Sequence, residues 1–320
     1  MDDTISHYTG ERLTEADDLP DPIIDGYLWP NDLVMILGNE KAGKSILALQ
    51  MAANLSSGTK FLDKYPCQKM PVAYLQTEGK KDETAYRIKN MMEAIEFDSY
   101  NFHRLYKRFL PIDIPEYMTM LDNMIGSLEP KPKVLFDDAL YTTMMGDLNS
   151  NQDVRRFLFN YSILLEKYSL TSPIVHHAKR DQFFEGEKLE LGDKSSYGSV
   201  FLRANVDHII FLEMQRDKTR VLTCDTQRSG KVASKEELIL IQPVPLCFEI
   251  KGEYKAYEEI TLAQLKKEPL TRSQIIDRTG LSHSSVFQAA RHLLRDKKIT
   301  EIGSTNGQYS EKIYQAITEK

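Results

Sequence analysis

Gly38-Asn39-Glu40-Lys41-Ala42-Gly43-Lys44-Ser45 fits the pattern G-x-x-x-x-G-K-[ST] with every fixed position filled. Each residue type serves the binding of a nucleoside triphosphate. The glycines let the backbone curl until its N–H groups point at the β-phosphate, Lys44 reaches the β- and γ-oxygens, and the Ser45 hydroxyl ligates Mg²⁺. The surroundings agree with that reading. Leu33-Val34-Met35-Ile36-Leu37 is an unbroken apolar run of strand length, and Ser45 to Leu55 has the helical composition of a stretch without proline or glycine. Strand, loop and helix follow in the order that sets a helix N-terminus under an anion.

Other residues could complete a hydrolytic site. Asp137 and Asp138 close the apolar run Val134-Leu135-Phe136, and a carboxylate at such a strand end holds the water shell of Mg²⁺; either could do so. Glu78 follows Val72-Ala73-Tyr74-Leu75, expected to neighbour the strand before the glycine-rich loop, where a carboxylate would orient and deprotonate an attacking water. His176 and His177 end Pro173-Ile174-Val175 and are followed by Lys179 and Arg180; one imidazole there would contact the γ-phosphate. Gln227-Arg228-Ser229-Gly230-Lys231 offers Arg228, with Lys231, as the positive charge that a neighbouring subunit supplies in hydrolysis of this kind. Between Asp181 and Ser199, Phe183, Phe184, Lys188, Lys194 and Tyr197 could stack on bases and meet phosphates of single-stranded DNA. Four interleaved acids, Glu185, Glu187, Glu190 and Asp193, suit an ordinary surface loop equally well.

Positioning these groups requires an alternation of strands and helices. From Asp153 to Tyr168, Val154, Phe157, Leu158, Tyr161, Leu164, Leu165 and Tyr168 recur at helical spacing between the third and fourth apolar runs. The chain thus reads as an α/β protein with a central, mostly parallel sheet, its polar clusters all at carboxyl ends of strands, where such sheets bind ligands. Ile209-Ile210-Phe211-Leu212, Val221-Leu222-Thr223-Cys224 and Leu238-Ile239-Leu240-Ile241 read as antiparallel edge strands, and the stretch from Pro20 to Pro30 as a lead-in over the surface. From Ile260 the rhythm changes to short amphipathic helices. Ser273 to Thr279 and Ser284 to Arg295 flank a turn at Gly280-Leu281-Ser282, and two strands, Ile299–Ile302 and Lys312–Ile317, follow, as in a small C-terminal winged-helix domain. On its second helix, Arg291, His292 and Arg295 could meet phosphates, and Ser284, Ser285 and Gln288 base edges, while a winged helix of this polarity serves nearly as often as a contact for a partner protein. The expected organisation is an acidic tail (1–20), an ATPase domain (21–252), a linker (253–260) and the winged helix (261–320).

Composition excludes several classes. A net charge of −6 argues against a uniformly basic nucleic-acid coat. Eight acids against the single Arg12 in the first 25 residues have the character of a solvated tail, and Glu258 to Lys320 carries ten Lys/Arg against eight Asp/Glu. Cys67, Cys224 and Cys247 lack C-x-x-C spacing and read as free thiols. No apolar run approaches the roughly 20 residues of a membrane span, so a cytoplasmic protein with no membrane contact is expected.

Together these motifs resemble the RecA-like ATPases of the RepA type, related to DnaB helicases, RadA and KaiC. The resemblance rests on Pro22-Ile23-Ile24-Asp25-Gly26-Tyr27-Leu28, Glu40 within the loop, Tyr74-Leu75-Gln76-Thr77-Glu78, Asp138-Ala139-Leu140-Tyr141 with Gly146-Asp147, His176-His177-Ala178-Lys179, and Tyr197-Gly198-Ser199 with Val206-Asp207. Alanine replaces the proline common after the aspartate. It covers about Pro20 to Gly252 and implies a RecA-like P-loop NTPase fold, Asp138 as the Mg²⁺ carboxylate, and ATP hydrolysis between subunits with Glu78 as base and an arginine in trans. It also implies a homo-oligomer, usually a hexameric ring, and single-stranded DNA as partner, as in replicative helicases of plasmids and phages.

Overall fold

The computed structural model describes residues 20–92, 94–177, 200–215, 217–226, 238–241, 246–250, 254–281, 283–305 and 311–317. The acidic tail, Lys179, Arg180, the 181–199 segment, Arg228 and Lys231 lie outside them.

β1 (Leu33–Gly38) leads through the glycine-rich loop into α1 (Lys44–Ser57), followed by β2 (Val72–Gln76), α2 (Glu83–Met91), β3 (Phe102–Tyr106) and α3 (Pro115–Ser127). Then come β4 (Val134–Asp138), α4 (Leu140–Thr143), α5 (Asn151–Tyr168), β5 (Ser172–His177), α6 (Val200–Ala204), β6 (His208–Met214), β7 (Arg220–Thr226), β8 (Leu238–Ile241) and β9 (Glu249–Ile250). These strands form one sheet in the order β3-β2-β4-β5-β1-β6-β7-β8-β9. Its interior strands carry apolar runs because helices cover both faces, and β4 and β5 close on the polar pairs Asp137-Asp138 and His176-His177. Successive side chains alternate between two cores: Val34 and Ile36 meet α1, while Met35 and Leu37 meet the side of α5.

Three expectations change. β6 is not an antiparallel edge strand: it runs parallel to β1, and antiparallel pairing begins only at β7. β2 does not neighbour β1, since β4 and β5 lie between them. The lead-in does not run over the surface; Ile23, Ile24, Tyr27, Leu28 and Trp29 are all buried. Ile24 bridges both Leu28 and Cys67, Tyr27 packs edge-on against Phe61 and Tyr65, and Trp29 stacks on His208. This burial removes more apolar area from water than proline punctuation suggests.

α1 is buried on nearly every side, as expected of a helix that is apolar almost all round and held between sheet and chain. α5 covers the predicted stretch, starts two residues earlier, and is capped by Ser150, whose hydroxyl accepts from the Asp153 N–H.

The C-terminal unit consists of α7 (Tyr254–Leu265), β10 (Leu270–Thr271), α8 (Arg272–Thr279), α9 (His283–Arg295), β11 (Ile299–Ser304) and β12 (Lys312–Ala316), with its strands ordered β10-β12-β11. The stretch expected as a linker is, from Tyr254 onward, the beginning of α7. Leu265, Leu270, Ile275, Val286, Leu293 and Tyr314 form a separate core. α8 starts with a reciprocal capping box between Thr271 and Gln274 and stops at Gly280, where φ is 67°.

The α9 face expected to read DNA is covered. Ser285, Gln288 and His292 are all buried, because they pack on Asp63, Cys247 and Glu249 of the preceding α/β unit rather than facing solvent. His292 bridges Glu249 of β9 at 3.2 Å and Glu258 of α7 at 2.8 Å. The Glu249 hydrogen bond, then that of Glu258, raises its pKa above the ordinary 6.5 against the opposing effects of burial and Arg295. The resulting stabilisation is complete below 6.5 and disappears as pH rises through the raised value. As pH rises above 6.5 the melting temperature of the wild type should fall more steeply than that of His292→Gln; parallel slopes in a thermal scan would contradict this.

Candidate nucleotide-binding site

The loop from Gly38 to Ser45 links the carboxyl end of β1 to the N-terminus of α1, with φ 62° at Lys41 and 100° at Gly43. Glycine is required at two of these positions. A Cβ on Gly43 would lie 2.7 Å from the Phe248 ring, and one on Gly38 would run into the backbone carbonyl of Leu212 on neighbouring β6. Neither backbone can yield at Gly38, so Gly38→Ala should lower stability by about 3 kcal/mol, the upper part of the range for overpacking; an unchanged denaturant midpoint would refute the packing described.

Lys44 is 4% exposed, and its Nζ donates to the carbonyls of Gly38 and Asn39, both at 2.8 Å. Burial lowers its pKa to about 8, opposed by the charges of Asp138, Glu78 and Glu40. The Ser45 hydroxyl donates to Asp138 Oδ1 at 2.9 Å, and Tyr74 donates to Oδ2 at 2.7 Å. Asp137 projects from the opposite face of β4 and accepts instead from the Thr143 hydroxyl at 2.8 Å. Burial pushes its carboxyl up to about 7. Strand alternation thus separates the two aspartates, and Asp138 alone is joined to Ser45.

Glu78 approaches the loop across two intervening strands, β4 and β5. His177, paired in register with Gly38, spans the gap with its Nε2 3.6 Å from Glu78 Oε2. The adjacent His177 imidazole, more than Lys44, holds the Glu78 carboxyl below its ordinary range despite partial burial. Glu78 is therefore ionised at neutral pH, as a general base must be. His176 is buried, which depresses its pKa to about 4 and leaves it neutral; the His177 and Lys44 charges add to the effect. Among the described residues, the buried Nδ1 atoms of both histidines have no hydrogen-bond partner.

Next to this cluster is a cavity of about 910 Å³ lined by Glu40, Phe109, Tyr117, Tyr141, His176 and His177, among others. Supporting residues that motif reading missed hold the site in place. Gln76 donates to the carbonyls of Glu78 and Lys80, both at 2.9 Å, which fixes the turn that presents Glu78. The Arg220 Nε donates to the Ala42 carbonyl at 3.1 Å, and its guanidinium lies 5.6 Å from the Phe248 ring centroid. The only signal for Gln76 was its place two residues before Glu78 on an alternating strand. Arg220 and Phe248 carried none, since their contacts with the loop span more than 170 positions of sequence.

These donors fit a Mg²⁺ nucleotide. The Ser45 hydroxyl and Asp138 carboxylate are hard oxygens, and the curled loop leaves Gly43 without a side chain in the way. Among the described residues no group of three or more His, Cys, Asp or Glu could hold a metal, so phosphate and water oxygens would complete the shell.

Residues 8–182 match the family model described as AAA domain. The chain belongs to that family. A KaiC-like protein from the hyperthermophilic archaeon Pyrococcus horikoshii OT3 is structurally similar, with a TM-score of 0.50 at 13% identity over 72% of this chain and 95% of the other. A second solved structure, an isolated ATPase domain, is similar with a TM-score of 0.50 at 15% identity, over 72% of this chain and 91% of that one. No curated protein sequence matches the chain significantly. At such identities the likeness concerns the fold, which is that of a RecA-like P-loop ATPase. None of the AAA-family chain's described helices is long and apolar enough to cross a membrane.

Proposed function

We propose that this chain is a Mg²⁺-dependent ATP hydrolase that assembles into a homo-oligomeric, hexameric ring on single-stranded DNA, as a RepA-type helicase or translocase in replication of a plasmid, phage or mobile element. The observation that carries the hydrolase reading is the convergence of four strand ends on one loop. Lys44 and Ser45 follow β1, Glu78 follows β2, Asp138 ends β4 and His177 ends β5. The ring, the DNA and the cytoplasmic setting rest on the motif resemblance. So does the organisation into an ATPase domain (21–252) and a C-terminal winged helix (261–320), which the helix and strand order of the last unit supports.

Each residue has a distinct role. Backbone N–H groups of Gly38 to Ser45 cradle the phosphates while the Lys44 ammonium spans the β- and γ-oxygens. Ser45 and Asp138 would hold Mg²⁺, whose charge would offset that developing on the phosphate oxygens. The Glu78 carboxylate accepts the proton of the attacking water, and His177, 3.6 Å from that carboxylate, would meet the γ-phosphate. Arg228 of an adjacent copy would stabilise the equatorial oxygens.

Unwinding of a forked DNA duplex tests the reading. ATP-dependent strand separation supports it. Strand pairing without separation would assign the chain to recombination mediators, and neither activity would leave an ATP-gated regulator.

A further inference from the structure

The helix best suited to read DNA is instead docked on the ATPase core, against a segment that also supports the glycine-rich loop. From α9, the Ser285 hydroxyl donates to Asp63 Oδ2 at 3.3 Å, Gln288 Nε2 donates to Cys247 Sγ at 3.6 Å, and His292 meets Glu249. Ser285, Gln288 and Ala289 are at most 3% exposed. The other side of Cys247–Glu249 faces the loop and α1. Gln50 of α1 makes a reciprocal pair with Phe248, accepting from its N–H at 2.7 Å and donating to its carbonyl at 2.9 Å. The Phe248 ring fills the space beside Gly43, and Arg220 ties that ring to the Ala42 carbonyl.

We infer that the C-terminal unit is a latch coupled to the nucleotide site, with α9 docking on Cys247–Glu249 and nucleotide binding at Gly38–Ser45 favouring each other through Phe248. A packed segment shared by two contacts moves as a unit, since a ring that leaves Gly43 withdraws the Cys247 and Glu249 partners of α9 as well. Coupling of this kind is reciprocal: whatever factor nucleotide adds to docking, docking adds to nucleotide affinity. Docked, the polar face of α9 is closed to any other partner; released, it presents Ser285, Gln288 and His292 beside Arg291 and Arg295. The latch rests on the nucleotide-binding reading of the loop.

Cys247 reports the docked state, being 2% exposed beneath Gln288. In the full chain, the rate of Cys247 alkylation by N-ethylmaleimide is followed by peptide mass, with Cys67 as internal reference. A slowly hydrolysed ATP analogue with Mg²⁺ should slow Cys247 labelling by about fivefold or more, the lower end of usual coupling strengths. Gln288→Ala and His292→Gln should each speed labelling and weaken binding of the analogue. Unchanged Cys247 labelling in wild type when the analogue is bound, together with wild-type affinity in both variants, overturns the latch but leaves the nucleotide site standing. Failure of wild type to bind the analogue overturns both.

Discussion

Glu78→Gln lowers steady-state ATP turnover by about 10²–10⁴-fold, the usual worth of a general base, while nucleotide affinity stays within about twofold. The substitution preserves shape and removes only the ability to accept a proton. Because the adjacent His177 imidazole holds the native carboxyl below its ordinary pKa, the wild-type side chain is already in its basic form at neutral pH. Turnover assays and equilibrium binding of a fluorescent ATP analogue check both halves. A variant that turns over at the wild-type rate would remove Glu78 from the chemistry. One that loses binding as well would make it a structural residue of the loop.

Lys44→Ala has a different signature, losing affinity and turnover together, the latter by about 10²–10³-fold as for removal of one preorganised charged donor. Stability should change little by comparison. Burial already lowers the Lys44 pKa to about 8, so removing the ammonium relieves a desolvation cost while leaving the Gly38 and Asn39 carbonyls without their donor. The two substitutions therefore separate binding from chemistry, and the melting temperature of Lys44→Ala distinguishes a lost ligand contact from a lost fold.

The parts of the site built from local order were legible in the sequence. Strand, loop and helix around Gly38–Ser45, the carboxylates closing β4 and the spacing of α5 each depend on residues close together in the chain. Pairing between distant segments was not legible. Glu78 reads as an immediate neighbour of the loop, yet it acts across two intervening strands through His177, and only the sheet order discloses that. The orientation of β6 was hidden because a short apolar run serves a parallel or an antiparallel partner equally well. β3 was missed because only Phe102 and Leu105 of this edge strand are buried, with His103 and Arg104 between them, leaving no continuous apolar run to detect. α9 was misjudged for an electrostatic reason: buried polar side chains satisfied by Glu249, Glu258 and Cys247 have the same composition as a DNA-reading face.

The measurement that tests the central claim most directly is steady-state ATP hydrolysis by wild type, Lys44→Ala and Glu78→Gln, with and without single-stranded DNA. A DNA-driven motor predicts strong stimulation of wild type by DNA and no activity above background in either variant. Slow wild-type turnover that ignores DNA, despite normal nucleotide binding, would contradict the motor and leave a nucleotide-gated regulator.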